Sequence, residues 1–380
     1  MSFLLSMRFS GSTNPAAATV GRRGAYSAGR RAHGGGYAGR MKPMIIGHRG
    51  ASGYRPEHTR AAYELAFTQG ADAVEPDIVP TRDGVLVLRH ESEIGSTTDV
   101  AGRPEFAARR TTKHVDRVKH TGWFTEDFTW AELSTLRVKE RLPRIRSANT
   151  RFDGQSPILR LADLFEIIDG AAESTGRRLR MVAEIKNAQH FAALGLPLDE
   201  LFAAEVAAAG WNDDRLIIES FEPDVLQQVR ARGISGQRIF LIDSEGRPAD
   251  QVARFGAAAP DYASYLTDTG LAALVGAVEG ISVAKPLILR TDAATGAAET
   301  TSLVGAAHTA GLQVFCWTLR PENTFLAPVH RRGLRKADFG DWEAEFAMIL
   351  RTEVDGVFVD HPDLGAQARQ SLHPADAPHV

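Results

Sequence analysis

The chain has 380 residues, 43% hydrophobic and 24% charged, with a formal net charge of -3. That is the balance of a globular protein with enough apolar side chains for a sizeable core, and it gives no electrostatic footprint for nucleic acid or a polyanionic surface. No apolar run reaches the ~18 residues of a membrane-spanning helix, and a single cysteine, Cys316 in "LQVFCWT", excludes an intrachain disulfide framework and reads as a core residue.

Residues 1–40 are rich in Gly, Ala, Ser and Arg. They hold too little to bury to offset the entropy of ordering, so a disordered segment is expected. "SFLLSMRF" is too short for a secretory core, and the Arg-Arg pairs are not followed by an apolar stretch. The expected compartment is therefore the cytoplasm; the alternatives are a twin-arginine export signal or a misplaced start with Met41 nearer the true beginning, and an exported location stays open if the N-terminus is misassigned. A catalytic domain is expected over 41–370, followed by a short tail over 371–380.

From Met44 onward eight short apolar runs recur: "MIIGH" (44–48), "AVEPDIV" (73–79), "LRMVAEIK" (179–186), "RLIIESF" (215–221), "RIFLID" (238–243), "GISVAK" (280–285), "LQVFCWT" (312–318) and "GVFVD" (356–360). Between them lie amphipathic stretches such as "TRAAYELAFTQG", "LADLFEIIDGAAEST" and "LDELFAAEVAAAG". Their apolar residues recur at i, i+3, i+4 and i+7, and several end in a glycine suited to a helix C-cap. Strands alternating with helices imply a parallel sheet, and eight units over this length predict a (β/α)8 TIM barrel, with a doubly wound open sheet as the second choice. "VPTRDGVLVLRHE" reads as a hairpin extending the second strand. Residues 92–157 lack clean alternation and form a long insertion with one short helix near "TWAELSTLRV". Insertions after barrel strands sit on the catalytic face.

Active sites of such barrels form at the C-terminal strand ends. The polar or aromatic residues there are His48, Arg49, Glu75, Asp77, His90, Glu184, Lys186, Glu219, Ser220, Lys285, Trp317 and Asp360. The two-residue spacing of Glu75 and Asp77 puts both carboxylates on one strand face. With Glu184 they make an oxygen set that suits a hard divalent cation, Ca2+ or Mg2+, better than zinc. The same acids would also serve as a structural network with Arg49 and Lys186. His48 and His90 facing one bound anion would make a general acid–base pair, and Arg49 and Lys186 would neutralise a phosphate. Gly50 and Gly53 would let the backbone turn close to the ligand.

"HRGASGYRPEHT", "VEPDIVPTRDGVLVLRHE", "AEIK", "ESF", "VFCWTLR" and "DGVFVDHPD", in that order from Ile45 to about Gly365, resemble the glycerophosphodiester phosphodiesterase family. The long insertion and "PEHT" are similar to its longer, periplasmic-type bacterial branch. The resemblance implies a TIM barrel that uses one divalent cation, Ca2+ before Mg2+, to hydrolyse glycerophosphodiesters such as glycerophosphocholine and glycerophosphoethanolamine. The products are sn-glycerol 3-phosphate and an alcohol. It implies His48 and His90 as general acid and base, and Glu75, Asp77 and Glu184 as metal ligands. Arg49 and Lys186 would lie on the phosphate, with Glu57 supporting by hydrogen bonds. Phe221 and Trp317 would form an apolar wall for the glycerol, and His58 would take a supporting or substrate-rim place. Two positions depart from the family pattern: Glu91 stands where Asp is usual, and Glu219 where Gln is usual.

Three other readings compete. One is a phosphodiesterase of the same scaffold acting on lysophospholipids or phosphoinositides. A second is a non-catalytic barrel that binds phosphorylated ligands. The third, a metal-dependent aldolase or isomerase, would use Lys186 or Lys285. Retention of both histidines and all three proposed metal ligands favours the first-named hydrolase.

Overall fold

Strand β1 (Met44–His48) opens a ring of eight parallel strands in the computed structural model, which describes residues 42–372. The predicted disordered segment 1–40 and residues 373–380 of the predicted tail lie outside the described residues. After β1 come β2 (Ala73–Glu75, resuming past Pro76 as Asp77–Pro80), β3 (Arg180–Ile185) and β4 (Leu216–Ser220). Then follow β5 (Gln237–Ile242), β6 (Gly280–Ala284), β7 (Gln313–Leu319) and β8 (Gly356–Val359). Each strand pairs with its successor, and β8 returns to β1 in the register Met44–Gly356 to Gly47–Val359. The sheet is therefore a closed barrel rather than a doubly wound open sheet. All eight predicted runs are its strands, because parallel strands covered on both faces read as continuous apolar runs.

Helices cover the outside. Arg60–Thr68 starts at Thr59, whose side chain accepts a hydrogen bond from the Ala62 amide. Leu161–Thr175 and Leu198–Ala209 stop at Gly176 and Gly210, both left-handed. The last helix, Pro362–Leu372, takes in the first two residues of the predicted tail.

Period-two alternation sorts the strand side chains into two cores. One set, including Ile45, Val74 and Val357, packs outward under the helices. The other, Ile46, Ala73, Val182, Ile217, Ile239, Phe315 and Phe358, fills the barrel interior. Two residues further along the same strands come His48, Glu75, Glu184, Glu219, Trp317 and Asp360. These share the inward face one pleat higher, and the registers His48–Glu75 and Glu184–Glu219 put neighbours at one level. The functional layer is thus a direct consequence of strand periodicity.

The predicted hairpin is present, with Asp77–Pro80 antiparallel to Leu86–Leu88. The insertion differs from expectation. It contains a second hairpin, Thr111–Val115 with Val118–Gly122, turned on Asp116 and Arg117 at φ 46° and 72°. The predicted helix is only Trp130–Leu133, fixed by a capping box between Thr129 and Glu132. Beyond it, Arg137 and Val138 are drawn into isolated bridges with Pro157 and Thr98.

Candidate active site

Asp77 sits at the centre of a dense ion-pair network. Arg49 reaches it through Nε at 3.1 Å, and Glu57 through Nη1 at 2.9 Å. Lys186 Nζ lies 2.8 Å from Glu184 and 3.4 Å from Asp77. Arg49 itself has φ 61°, an unusual backbone for a non-glycine residue. Its amide is held by Glu75, through the carboxylate at 2.9 Å and the carbonyl at 3.0 Å. These bonds aim the guanidinium across the barrel mouth.

Glu75, Glu184 and Glu219 bring carboxylate oxygens within 4.8 Å of one another, all three residues buried. One oxygen of Glu75 and one of Glu219 accept no hydrogen bond, a costly arrangement for isolated buried carboxylates. Burial and mutual repulsion hold Glu75 and Glu219 well above the usual carboxylate range. Burial pushes Glu184 up to about 8 against the pull of Lys186. Asp77 moves the other way: burial opposes ionisation, but His90, Lys186 and Arg49 keep it low. Acids that repel and expose bare oxygens to one another fit a hard divalent cation. The sequence placed Glu75, Asp77 and Glu184 in that set. In the structure the closest trio is Glu75, Glu184 and Glu219, with Asp77 adjoining and engaged by cations.

His48 and His90 stand at the mouth, each with a carboxylate on Nδ1: Asp360 at 2.6 Å and Glu91 at 2.5 Å. An ionised carboxylate only accepts, so Nδ1 carries the proton and Nε2 is left as an acceptor. Among the described residues, no hydrogen bond engages either Nε2. Burial, then the Arg49 charge, lowers His48 to about 4. Burial, Arg49 and Lys186 lower His90 to about 3. Both rings are therefore neutral near pH 7, and both lie in the field of the same guanidinium.

Phe221 and Trp317 meet edge to face with centroids 5.7 Å apart, and Tyr262 joins Phe221 at 6.1 Å. This wall leads into a cavity of about 780 Å3 lined by Glu184, Lys186, Phe221, Tyr262, Asp116 and Arg117. The last two belong to the hairpin tip of the insertion, so the insertion does border the site. Lys285 does not join it: its Nζ binds Glu345 at 2.5 Å and the Phe325 carbonyl at 2.6 Å.

The structure narrows two expectations, and of the two places open to His58 it takes the supporting one. His58 is fully buried between Tyr63 and Asp77, at 2.7 and 2.9 Å, and lies behind Asp77 rather than on a substrate rim. Gly50, at φ 84°, makes the expected turn, and both Gly50 and Gly53 are also required by close protein neighbours. A Cβ at Gly50 would come 2.6 Å from the Ala62 backbone, and one at Gly53 would come 2.3 Å from the His361 ring. The sequence reading also missed the partners of the histidines. Asp360 stood among the strand-end residues without a role. Arg141 and Arg146, which bind Glu91 and Asp360 at 2.6 Å each, were not singled out.

The chain matches the model of the glycerophosphoryl diester phosphodiesterase family over residues 48–364. It is 31% identical over 299 residues to a glycerophosphodiester phosphodiesterase of Arabidopsis thaliana, which covers 75% of this chain and 76% of that protein. A glycerophosphodiester phosphodiesterase of Haemophilus influenzae is 32% identical over 151 residues, covering 38% and 39% of the two chains. Among solved structures, an Oleispira antarctica phosphodiesterase in complex with the product sn-glycerol-3-phosphate superposes with a TM-score of 0.56. The two are 19% identical, and the match covers 86% of this chain and 96% of that one. A glycerophosphodiester phosphodiesterase from Agrobacterium tumefaciens gives 0.52 at 20% identity, with 86% and 99% covered. At these identities the structural likeness bears on the fold.

Proposed function

The chain belongs to the glycerophosphoryl diester phosphodiesterase family, and from that premise we propose that it hydrolyses glycerophosphodiesters to sn-glycerol 3-phosphate and an alcohol. The observation that carries the reading is the pair of histidines at the barrel mouth, each held at Nδ1 by a carboxylate so that Nε2 is left to accept a proton.

Arg49, braced by Glu57 and Asp77, would bind a nonbridging oxygen of the phosphodiester, with Lys186 adding a second positive charge. Glu75, Glu184 and Glu219, with Asp77 adjoining, would hold one divalent cation, Ca2+ in preference to Mg2+ because several carboxylates at one place suit the ion that takes more oxygen ligands. The bound cation would supply further positive charge against the phosphoryl oxygens. The anionic substrate would offset the positive field that depresses both histidines, so that one ring can carry a proton while the other remains a base.

The basic Nε2 would take the proton of the nucleophile, either water or the glycerol 2-hydroxyl of the substrate itself. The bond from phosphorus to the leaving alcohol breaks, and the protonated ring gives its proton to that alcohol. With the 2-hydroxyl as nucleophile, a cyclic phosphate forms first and water opens it in a second step. Phe221 and Trp317 would pack the glycerol, and the adjoining cavity would receive the alcohol.

The test is release of sn-glycerol 3-phosphate from glycerophosphocholine by the purified chain. It should be run with chelator, then with Ca2+ and with Mg2+ restored. Turnover restored by either cation supports the reading, and chelator-insensitive turnover removes the cation from it. If no glycerol 3-phosphate is released from any of choline, ethanolamine or glycerol diesters, the substrate assignment falls.

A further inference from the structure

We propose that Arg141 and Arg146, five residues apart in the insertion, are positioning residues that set both histidine rings through the carboxylates bound to them. The inference rests on the assignment of His48 and His90 under "Proposed function". It concerns residues outside the strand ends that carry the site.

The geometry repeats on the two sides. Arg141 binds both oxygens of Glu91, Nη1 to Oε1 at 3.0 Å and Nη2 to Oε2 at 2.6 Å, and Glu91 Oε1 holds His90 Nδ1. Arg146 Nη2 binds Asp360 Oδ2 at 2.6 Å, and Asp360 Oδ1 holds His48 Nδ1. Each unit therefore runs arginine, carboxylate, histidine, and both arginines issue from residues 140–146. That stretch is anchored to the rest of the chain: the Glu140 amide donates to Asp153 at 2.7 Å, and Glu140 accepts from Asn149 at 3.0 Å. Asn149 also donates to the Gly53 carbonyl at 3.2 Å, in the loop after β1.

The two arms differ in how much they need the arginine. Asp360 is buried and is gripped a second time by Arg320 Nε at 2.6 Å. Glu91 is half-buried, adjacent in sequence to its own histidine, and longer than an aspartate by one methylene and one rotatable bond. Among the described residues, Arg141 is its only cationic partner, the other partner being the neutral His90 ring. A planar fork on both carboxylate oxygens removes the rotational freedom that the extra methylene adds. Arg141 also spans to Glu57, Nε to Oε2 at 2.6 Å and Nη2 to Oε1 at 2.7 Å, and Glu57 braces Arg49. One insertion residue thus orients a proton-transfer ring and steadies the phosphate arm.

A double-mutant cycle tests this on the full chain loaded with its divalent cation, reading glycerol 3-phosphate release from glycerophosphocholine. Arg141→Gln should lower kcat by about 10–100-fold, the range for groups that orient a reactive side chain. In a Glu91→Gln background the same change should cost clearly less than in the parent, because its route to His90 is already cut and only the brace on Glu57 is lost. Arg146→Gln should cost less than Arg141→Gln, since Arg320 still holds Asp360. Effects of Arg141→Gln and Glu91→Gln that multiply, or a kcat for Arg141→Gln within about twofold of the parent, would overturn the proposal. Should Arg141→Gln fail to fold by thermal melting, Arg141→Lys decides. It keeps the charge but cannot span both oxygens, so kcat must fall partway, and parental kcat overturns the proposal. An inactive parent chain would instead count against the hydrolase reading itself.

Discussion

The barrel mouth has two unlike arcs. From β8 through β1, β2 and β3 to β4, the inward residues at the top of the strands are Asp360, His48, Glu75, Glu184 and Glu219, all ionisable and all packed close. On β5, β6 and β7 the inward places near the mouth are taken by Leu241, by Ser282 with Ala284 above it, and by Trp317. Lys285, the one cation at the end of β6, is turned away to Glu345. One arc holds opposed charges that can move protons and bind anion and cation. The other offers shape and an apolar surface that keeps water from competing for those charges. On the proposed reaction the difference would assign reactivity to five strands and substrate fit to three.

Removing either histidine attacks the reactive arc most directly. His48→Ala and His90→Ala should each lower kcat by about 10²–10⁴-fold, the contribution of general acid–base catalysis, with the melting temperature near that of the parent. Near-normal turnover in either variant would dissolve the contrast between the arcs.

Next in size is the response to a cation. Glu184 is raised to about 8, and Glu75 and Glu219 well above their ordinary values. The folded chain therefore holds more protons on these acids than the unfolded chain does, and stability falls as pH rises toward 8. His48 and His90 act oppositely, since their lowered values add stability as pH rises to about 6.5. With chelator present, the melting temperature should accordingly decline between about pH 6.5 and 8, and millimolar Ca2+ or Mg2+ should reverse the decline. A flat profile that no cation alters would argue against a cation among these carboxylates.

The quieter arc should answer in binding. Phe221→Ala and Trp317→Ala should raise KM by about tenfold, equivalent to ~1.4 kcal/mol of lost apolar contact, while changing kcat little. Steady-state kinetics on glycerophosphocholine would separate the two. Smallest in kinetics is Lys285→Met, which should leave kcat and KM near parental values. It should nonetheless lower unfolding stability in urea by about 3–5 kcal/mol, because Glu345 is left charged and buried.

Much of the first arc was legible in the sequence, for a physical reason. A strand buried on both faces is an apolar run, and the polar residue that ends it must either face the mouth or find a partner. His48, Glu75 and Glu184 could be placed that way, and so could Glu219 once its departure from Gln was noticed. The insertion could not be read so. Its hairpin carries "TTKHV" with mostly exposed side chains and turns on Asp116 and Arg117 without a glycine, so neither apolar alternation nor turn chemistry announced it. Arg146 finds Asp360 across 214 residues and Arg141 finds Glu57 across 84. Such pairings exist only once the barrel has closed, and no local pattern encodes them.

Below the charged layer lies the apolar fill of the barrel, Ile46, Val182, Ile217, Phe315 and Phe358 among it, at most 3% exposed. The buried Ser282 hydroxyl, in register with Phe315, is set among these apolar side chains. On the proposed reaction, substrate and products would pass through the cavity bordered by the tip of the inserted hairpin. If Arg49 holds the phosphate deeper than that cavity, the alcohol would leave first and the phosphate after it.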